Sequence, residues 1–278
     1  MSLRKMRPTT SGQRAVSYVD YGKFLTKKEP EKKLLESLRR TPGRDRFGRI
    51  SVRHKGGGTR KLYRKIDFRQ SRLNEPAKVL AIEYDPFRTA FIALIEYQNK
   101  DRSYVIAPDG LKVGDTVTVA DKTDIHVGNR MRLVNVPSGI EIHNVELLPG
   151  RGGQLVRSAG TAATVTGLEE DGRYAQVRMP SGEVRRILAQ NFASIGRVSN
   201  LLHSAQTIGK AGRIRHMGVR PSVRGKAMSP EAHPHGGGEG LSPIGLKHQK
   251  TPWGKPARGV RTRRRKHTDK FIVERRKP

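Results

Sequence analysis

The stretch HPHGGGEG at residues 233–240 packs two histidines, a proline and four glycines into eight positions. Four kinds of chemistry could use such residues. In an extended strand His233 and His235 share a face, so both could ligate one ion. Zinc, however, asks for three or four ligands, and the nearby Glu231, Glu239 and His248 follow no ligand spacing; no metal site is expected. A nucleotide phosphate loop needs an apolar strand leading in and Lys-Ser/Thr following the glycines. Gly236, Gly237 and Gly238 have neither, and Gly56-Gly57-Gly58, followed by Thr59-Arg60-Lys61, fail in the same way. Histidine titrates near neutral pH, yet a general base needs an orienting partner and a pocket that excludes water. Nothing around the loop supplies them, so no catalytic residue, no cofactor and no enzyme activity are expected.

Contact with RNA accounts for the composition directly. Glycine lets the backbone approach phosphates and sugars, proline lowers the entropy lost on docking, and histidine can stack on an unpaired base or bond a 2′-hydroxyl. Arg213, Arg215, Arg220, Arg224 and Lys226 lie just upstream and would draw the loop toward a polyanion. Trp253, the only tryptophan, sits between two prolines in TPWGKP near Lys250 and Lys255, a setting for stacking on RNA. Tyr63 in RKLYRK suits either stacking or packing on a barrel. Arg263, Arg264, Arg265 and Lys266 form the plainest charge run, which usually neutralises phosphates without reading sequence.

The charge of the whole chain agrees. Its 278 residues hold 56 Lys+Arg against 25 Asp+Glu, a formal net of +31. Residues 1–76 carry 22 basic and 7 acidic side chains, residues 77–199 carry 15 and 14, and residues 200–278 carry 19 and 4. A nearly neutral middle is thus flanked by two cationic extensions, the pattern of a foldable core with nucleic-acid-binding arms. An anionic membrane is the rival partner, but no apolar-faced basic helix of the interfacial type is evident. A general DNA-compacting protein is a further alternative. With no cysteine, disulfides and thiolate metal sites are excluded and a reducing compartment is allowed. The first residues lack the apolar stretch of a secretory signal. The longest apolar run, Ala90 to Ile95, falls far short of the ~20 residues that span a bilayer. A cytoplasmic location is expected.

The elements that must position these residues are β-strands. KVLAIEYDP, TAFIALIEY, RSYVIAP and DTVTVA are short apolar runs separated by Asp85-Pro86, Asn99-Lys100-Asp101 and Asp109-Gly110. Val117 and Val119 alternate with Thr116 and Thr118, one face inward and one outward. RMRLVNV, GIEIHNVELLP, TAATVTG, RYAQVRM and EVRRIL form a second set, in which Ala175, Val177 and Met179 alternate with Tyr174, Gln176 and Arg178. Two small barrels result, with the break near Asp121 to Gly128. The domain reading is a basic extension over 1–76, a first barrel over 77–122 whose strands begin as early as residue 60, a second barrel over 123–199 and a Gly/Pro-rich basic extension over 200–278. Segments 43–72 and 209–278 hold too little apolar surface to order by themselves and are expected to order only against a partner. Short helices are expected at Pro30–Arg39 and around Leu201–Gly209.

Several of these stretches resemble one known family. RGKAMSPEAHPHGGGEG (224–240) is similar to the signature of the second protein of the large ribosomal subunit, in its bacterial-type form, the universal family carrying a His-Pro-His-Gly-Gly-Gly loop. GRISVRHKGGGTRKLYRKIDF (48–68), AIEYDPFRTAFIALI (81–95), RSAGTAATV (157–165), MPSGEVRRI (179–187), GKAGR (209–213), TPWGKP (251–256) and DKFIVERR (269–276) also match, in order. Thr59, Lys226, Ser229, Ala232 and Leu241 depart from the usual pattern. The resemblance implies an oligonucleotide-binding-type barrel followed by an SH3-like barrel. It implies a non-enzymatic constituent of the large ribosomal subunit whose extensions enter ribosomal RNA near the peptidyl transferase centre, with roles in subunit assembly, subunit association and tRNA binding. It extends the expected RNA contacts to Arg53, His54, Lys55, Gly56, Gly57, Gly58, Arg60, Lys61, Arg64 and Lys65 in the first extension. In the second it adds Lys210, Met228 and Lys270 to the residues already named. The implied partners are large-subunit ribosomal RNA, neighbouring ribosomal proteins and small-subunit RNA at the subunit interface, with no membrane and no homo-oligomer.

Overall fold

The computed structural model describes residues 3–39, 42–238 and 243–276. The chain is mainly β and clusters into two units. The first comprises Met1–Arg39, Arg60–Lys210 and Thr268–Pro278; the second comprises Arg40–Thr59 and Ala211–His267.

The first unit contains two main sheets. In the smaller, strands Ala77–Glu83, Ile92–Tyr97, Arg102–Ile106 and Thr116–Val117 are antiparallel, with Arg102–Ile106 at one edge and Thr116–Val117 at the other. Ala77, Val79, Ala81 and Glu83 point inward while Lys78 is exposed, the period of two that a strand imposes. Ile92, Ala93, Leu94 and Ile95 are all buried, so this strand is covered on both faces, and that is why its sequence reads as a continuous apolar run. Tyr21, Phe24 and Leu25 pack against one apolar cluster of this sheet, and Leu34 and Ile66 against another. Parts of the N-terminal extension therefore fold onto the sheet, and Ile66 does so from within a segment expected to lack a core.

The larger sheet has seven strands in the order Ile272–Glu274, Val184–Leu188, Tyr174–Arg178, Ala163–Leu168, Glu141–His143, Phe192–Ile195 and Arg130–Arg132. Met131, Leu133, Ile142, Val165, Val177, Ile187 and Ile195 contribute to one core. Segment 121–128 carries no strand; Asn129 braces it by accepting the Thr118 N–H and donating to the Asp124 carbonyl, at 3.0 Å each.

Buried polar groups fix the second sheet. Arg130, fully buried, donates from Nη2 to Glu146 Oε1 at 3.0 Å and from Nη1 to the Asn144 carbonyl at 2.8 Å. Glu146 also accepts backbone N–H groups from Gly150, Gly152 and Phe192. Burial pulls the Arg130 guanidinium pKa down, against the pull of Glu146. His143 donates its Nδ1–H to the Gly196 carbonyl at 2.9 Å, and complete burial lowers its pKa to about 4.

Two expected helices take other forms. Over 30–39 only a 3-10 turn at Lys32–Leu34 forms, followed by strand Leu35–Glu36. Tertiary contacts win there: the Glu31 N–H donates to the Tyr104 hydroxyl at 2.8 Å, and Leu35 pairs with Arg64. A 3-10 turn at Leu201–Ala205 stands where the second helix was expected.

Candidate nucleic-acid interface

The second unit joins two segments about 150 residues apart in sequence. They carry 20 basic and 3 acidic residues, a net of +17. Among the described residues only Gly43 and His233 are buried in this unit, and no apolar side chain is. Backbone contacts hold it instead. The Gly56 N–H donates to the Gly218 carbonyl at 2.7 Å, the Thr59 N–H to His216 at 2.8 Å and the Arg220 N–H to His54 at 3.1 Å.

The first glycine run serves this close approach. Gly58 has φ of +63°, and a Cβ there would lie 2.7 Å from the His216 carbonyl oxygen. A Cβ on Gly56 would meet Arg215 Nη1 at 3.1 Å. The facing partner is the end of helix Ala211–His216, which stops at Gly218 with φ of +89°, the left-handed residue that ends many helices.

The histidine loop is braced in a comparable way. The 3-10 turn Gly225–Ala227, flanked by Arg224 and containing Lys226, brings Gly225 against the His233 ring, where a Cβ would come within 2.5 Å. The Gly237 N–H donates to the Met228 carbonyl at 3.0 Å. The two rings lie 4.8 Å apart between centroids. The His235 N–H donates to His233 Nδ1 at 3.0 Å, and the Lys250 N–H donates to His235 Nε2 at 2.8 Å. Each accepting nitrogen offers a lone pair, so the ring proton sits on Nε2 of His233 and Nδ1 of His235. The pair thereby ties the loop to segment 249–257, where the Thr251 N–H donates to Lys255 at 2.7 Å and the Gly254 N–H to Thr251 at 2.9 Å. Trp253 rides at the tip of this turn, 71% exposed, with the Arg53 guanidinium 5.0 Å over its ring.

The expected contact residues therefore divide. His54 and Gly56 meet Arg220 and Arg215, Lys55 bridges to Val219, Gly58 abuts His216 and Gly218, and Arg53 stands over Trp253, while Met228, His233, His235, Gly236 and Gly237 form the second loop. Arg264, Arg265 and Lys266 are exposed and Arg263 half-buried; Gly238 and Lys255 are exposed. Arg60, Lys61, Arg64, Lys65, Lys210 and Lys270 belong to the first unit. There Lys61 Nζ donates to the Pro86 carbonyl at 3.3 Å, Lys65 pairs with Glu36 at 3.6 Å, and Lys270 Nζ lies 5.3 Å from the Phe271 ring centroid. Tyr63 packs edge-on against Phe87 and accepts a bond from Arg88 at 3.0 Å, a packing role. Gly225 and Gly218 were missed, because nothing local marks a glycine that meets a residue elsewhere in the chain.

Among the described residues no group of three His, Cys, Asp or Glu side chains is placed to hold a metal ion, and no helix is long and apolar enough to cross a membrane. Glu239 and Leu241 lie outside the described residues. Two family models match the chain: residues 31–119 match "Ribosomal Proteins L2, RNA binding N-terminal domain" and residues 126–254 match "Ribosomal Proteins L2, C-terminal domain".

Proposed function

Because this chain belongs to the ribosomal protein L2 family, we propose that it is a structural constituent of the large ribosomal subunit that binds large-subunit ribosomal RNA. One observation carries the reading: a unit of net charge +17 that buries no apolar side chain among its described residues. Such a unit repels itself and has little apolar burial to offset its ordering entropy. A polyanion removes the first cost and supplies the missing contacts.

The finer reading places the extensions near the peptidyl transferase centre, with roles in subunit assembly, subunit association and tRNA binding. Neighbouring ribosomal proteins and small-subunit RNA complete the partners, and the location is the cytoplasmic ribosome. The motifs at 48–68, 224–240 and 251–256 support it. The same reading keeps the domain division at 77–122 and 123–199. His233 and His235 act as architecture rather than as acid–base catalysts, since each spends a ring nitrogen on a backbone N–H.

Binding to a large-subunit RNA fragment tests the charge argument. Affinity falls steeply with salt, and replacing Arg263, Arg264, Arg265 and Lys266 together by Gln lowers the log–log slope by about 3. Binding that stays flat across the salt titration would end the proposal.

A further inference from the structure

The second unit also carries an open cavity of about 480 Å³, within the roughly 300–1,000 Å³ of small-ligand sites. Arg44, Arg53, Lys55, Arg215 and Arg220 line it, and no acidic residue does. Among the described residues none of these five cations forms an ion pair with a carboxylate. The rest of the wall is His54, the apolar Pro42, Ile50, Val52 and Pro221, and the backbone of Gly56 and Gly57. Ile50 and Val52 are 65% and 52% exposed, and covering them with a flat apolar group is favourable.

From this combination we propose that the cavity receives one unpaired nucleotide of the RNA, its base against Ile50, Val52 and the prolines and its phosphates against the guanidinium groups. The proposal rests on the RNA-binding reading and narrows it to a ligand. A paired base cannot present its face to a wall, whereas an unstacked one can. Guanidinium forks match phosphate oxygens, and five cations around an apolar wall suit a group that is anionic at one end and flat at the other.

Gly57 provides the test. It lines the cavity, and a Cβ built there meets no atom within 4 Å, so Gly57→Leu fills the space without a clash at that atom. The full chain is titrated at one salt concentration with three RNA hairpins: fully paired, with a single-adenosine bulge, and with an abasic residue at the bulge. The bulged hairpin binds about tenfold more tightly than the other two, the scale of one base stacking on a protein surface. Gly57→Leu erases that preference, so that the bulged hairpin binds no more tightly than the paired one, and Ile50→Ser weakens it. Equal binding of bulged and abasic hairpins overturns the proposal, as does a preference that survives Gly57→Leu. Adenosine 5′-monophosphate is the other source of the same chemistry; if it saturates the chain as tightly as the bulged RNA, the site serves a soluble nucleotide and the RNA assignment is overturned. Loss of all salt-dependent binding, paired hairpin included, would instead count against the RNA-binding reading itself.

Discussion

His143 and His233 are both buried, for different reasons and with different consequences. His143 is buried within the second sheet, bonded to the Gly196 carbonyl and with the Ser194 backbone as a second partner. Its ordinary pKa of 6.5 falls to about 4 on folding, so the unfolded chain binds more protons between those values. Stability from this residue is then present above pH 6.5 and is lost as pH falls toward 4. Between pH 7 and pH 5 the loss amounts to about 2 kcal/mol. Urea unfolding of the wild type against His143→Gln measures it: the variant loses less stability over that interval, and identical pH profiles would refute the account. His233 instead lies where no apolar core exists, and its burial comes from Gly225 and its bond to the His235 N–H. Trp253 is the opposite case, a large apolar ring left 71% exposed. Trp253→Ala should leave thermal unfolding unchanged and weaken RNA binding by about 1–3 kcal/mol, read as a Kd for the RNA fragment. An unchanged Kd would return Trp253 to an unused surface residue.

At the scale of elements, the strand Ile272–Glu274 carries the sharpest consequence. It pairs with Val184–Leu188 at the sheet edge, and Phe271 beside it lies 6.2 Å from the Tyr174 ring. Removing residues 268–278 exposes the backbone groups of Val184–Leu188, a template for pairing with another chain. The truncated protein is expected to lose about 1–3 kcal/mol and to self-associate, as read by urea unfolding and sedimentation velocity. A monomer with the wild-type midpoint would show that the strand contributes nothing. This pairing joins residues almost 90 positions apart, which is why FIV reads in sequence only as a short apolar patch in a basic tail. Alternation is local and was legible: Ala175 and Val177 are buried while Arg178 is exposed. The Pro30–Arg39 segment shows the limit of local reading, since its helical composition yields to the Tyr104 hydroxyl and to pairing with Arg64. In the candidate interface the residue types were visible, but not that Arg53 would stand over Trp253, 200 positions away.

The molecule as a whole divides its stability unevenly. The first unit owns every buried apolar side chain among the described residues, while the second holds a net charge of +17, the glycine run 56–58 and the histidine loop. Backbone hydrogen bonds in the second unit are the main contacts available to resist opening, and each contributes only about 0.5–1.5 kcal/mol net. Self-repulsion works against them. Amide hydrogen exchange on the full chain, with and without the RNA fragment, measures the outcome residue by residue. Strands Ile92–Tyr97 and Tyr174–Arg178 should be protected in both conditions, because their cores are complete without RNA. Segments 42–59 and 211–238 should exchange rapidly in the unbound chain. With RNA at about a hundred times its Kd, protection of a unit ordered by binding rises about a hundredfold. The Gly56 and Arg220 amides, which bond across the two segments, should report that rise together. High salt should reverse it, since it is counterion release that drives the association. If these amides were already as protected as those of Ile92–Tyr97 before RNA is added, the second unit would be stable alone and its charge would need another explanation.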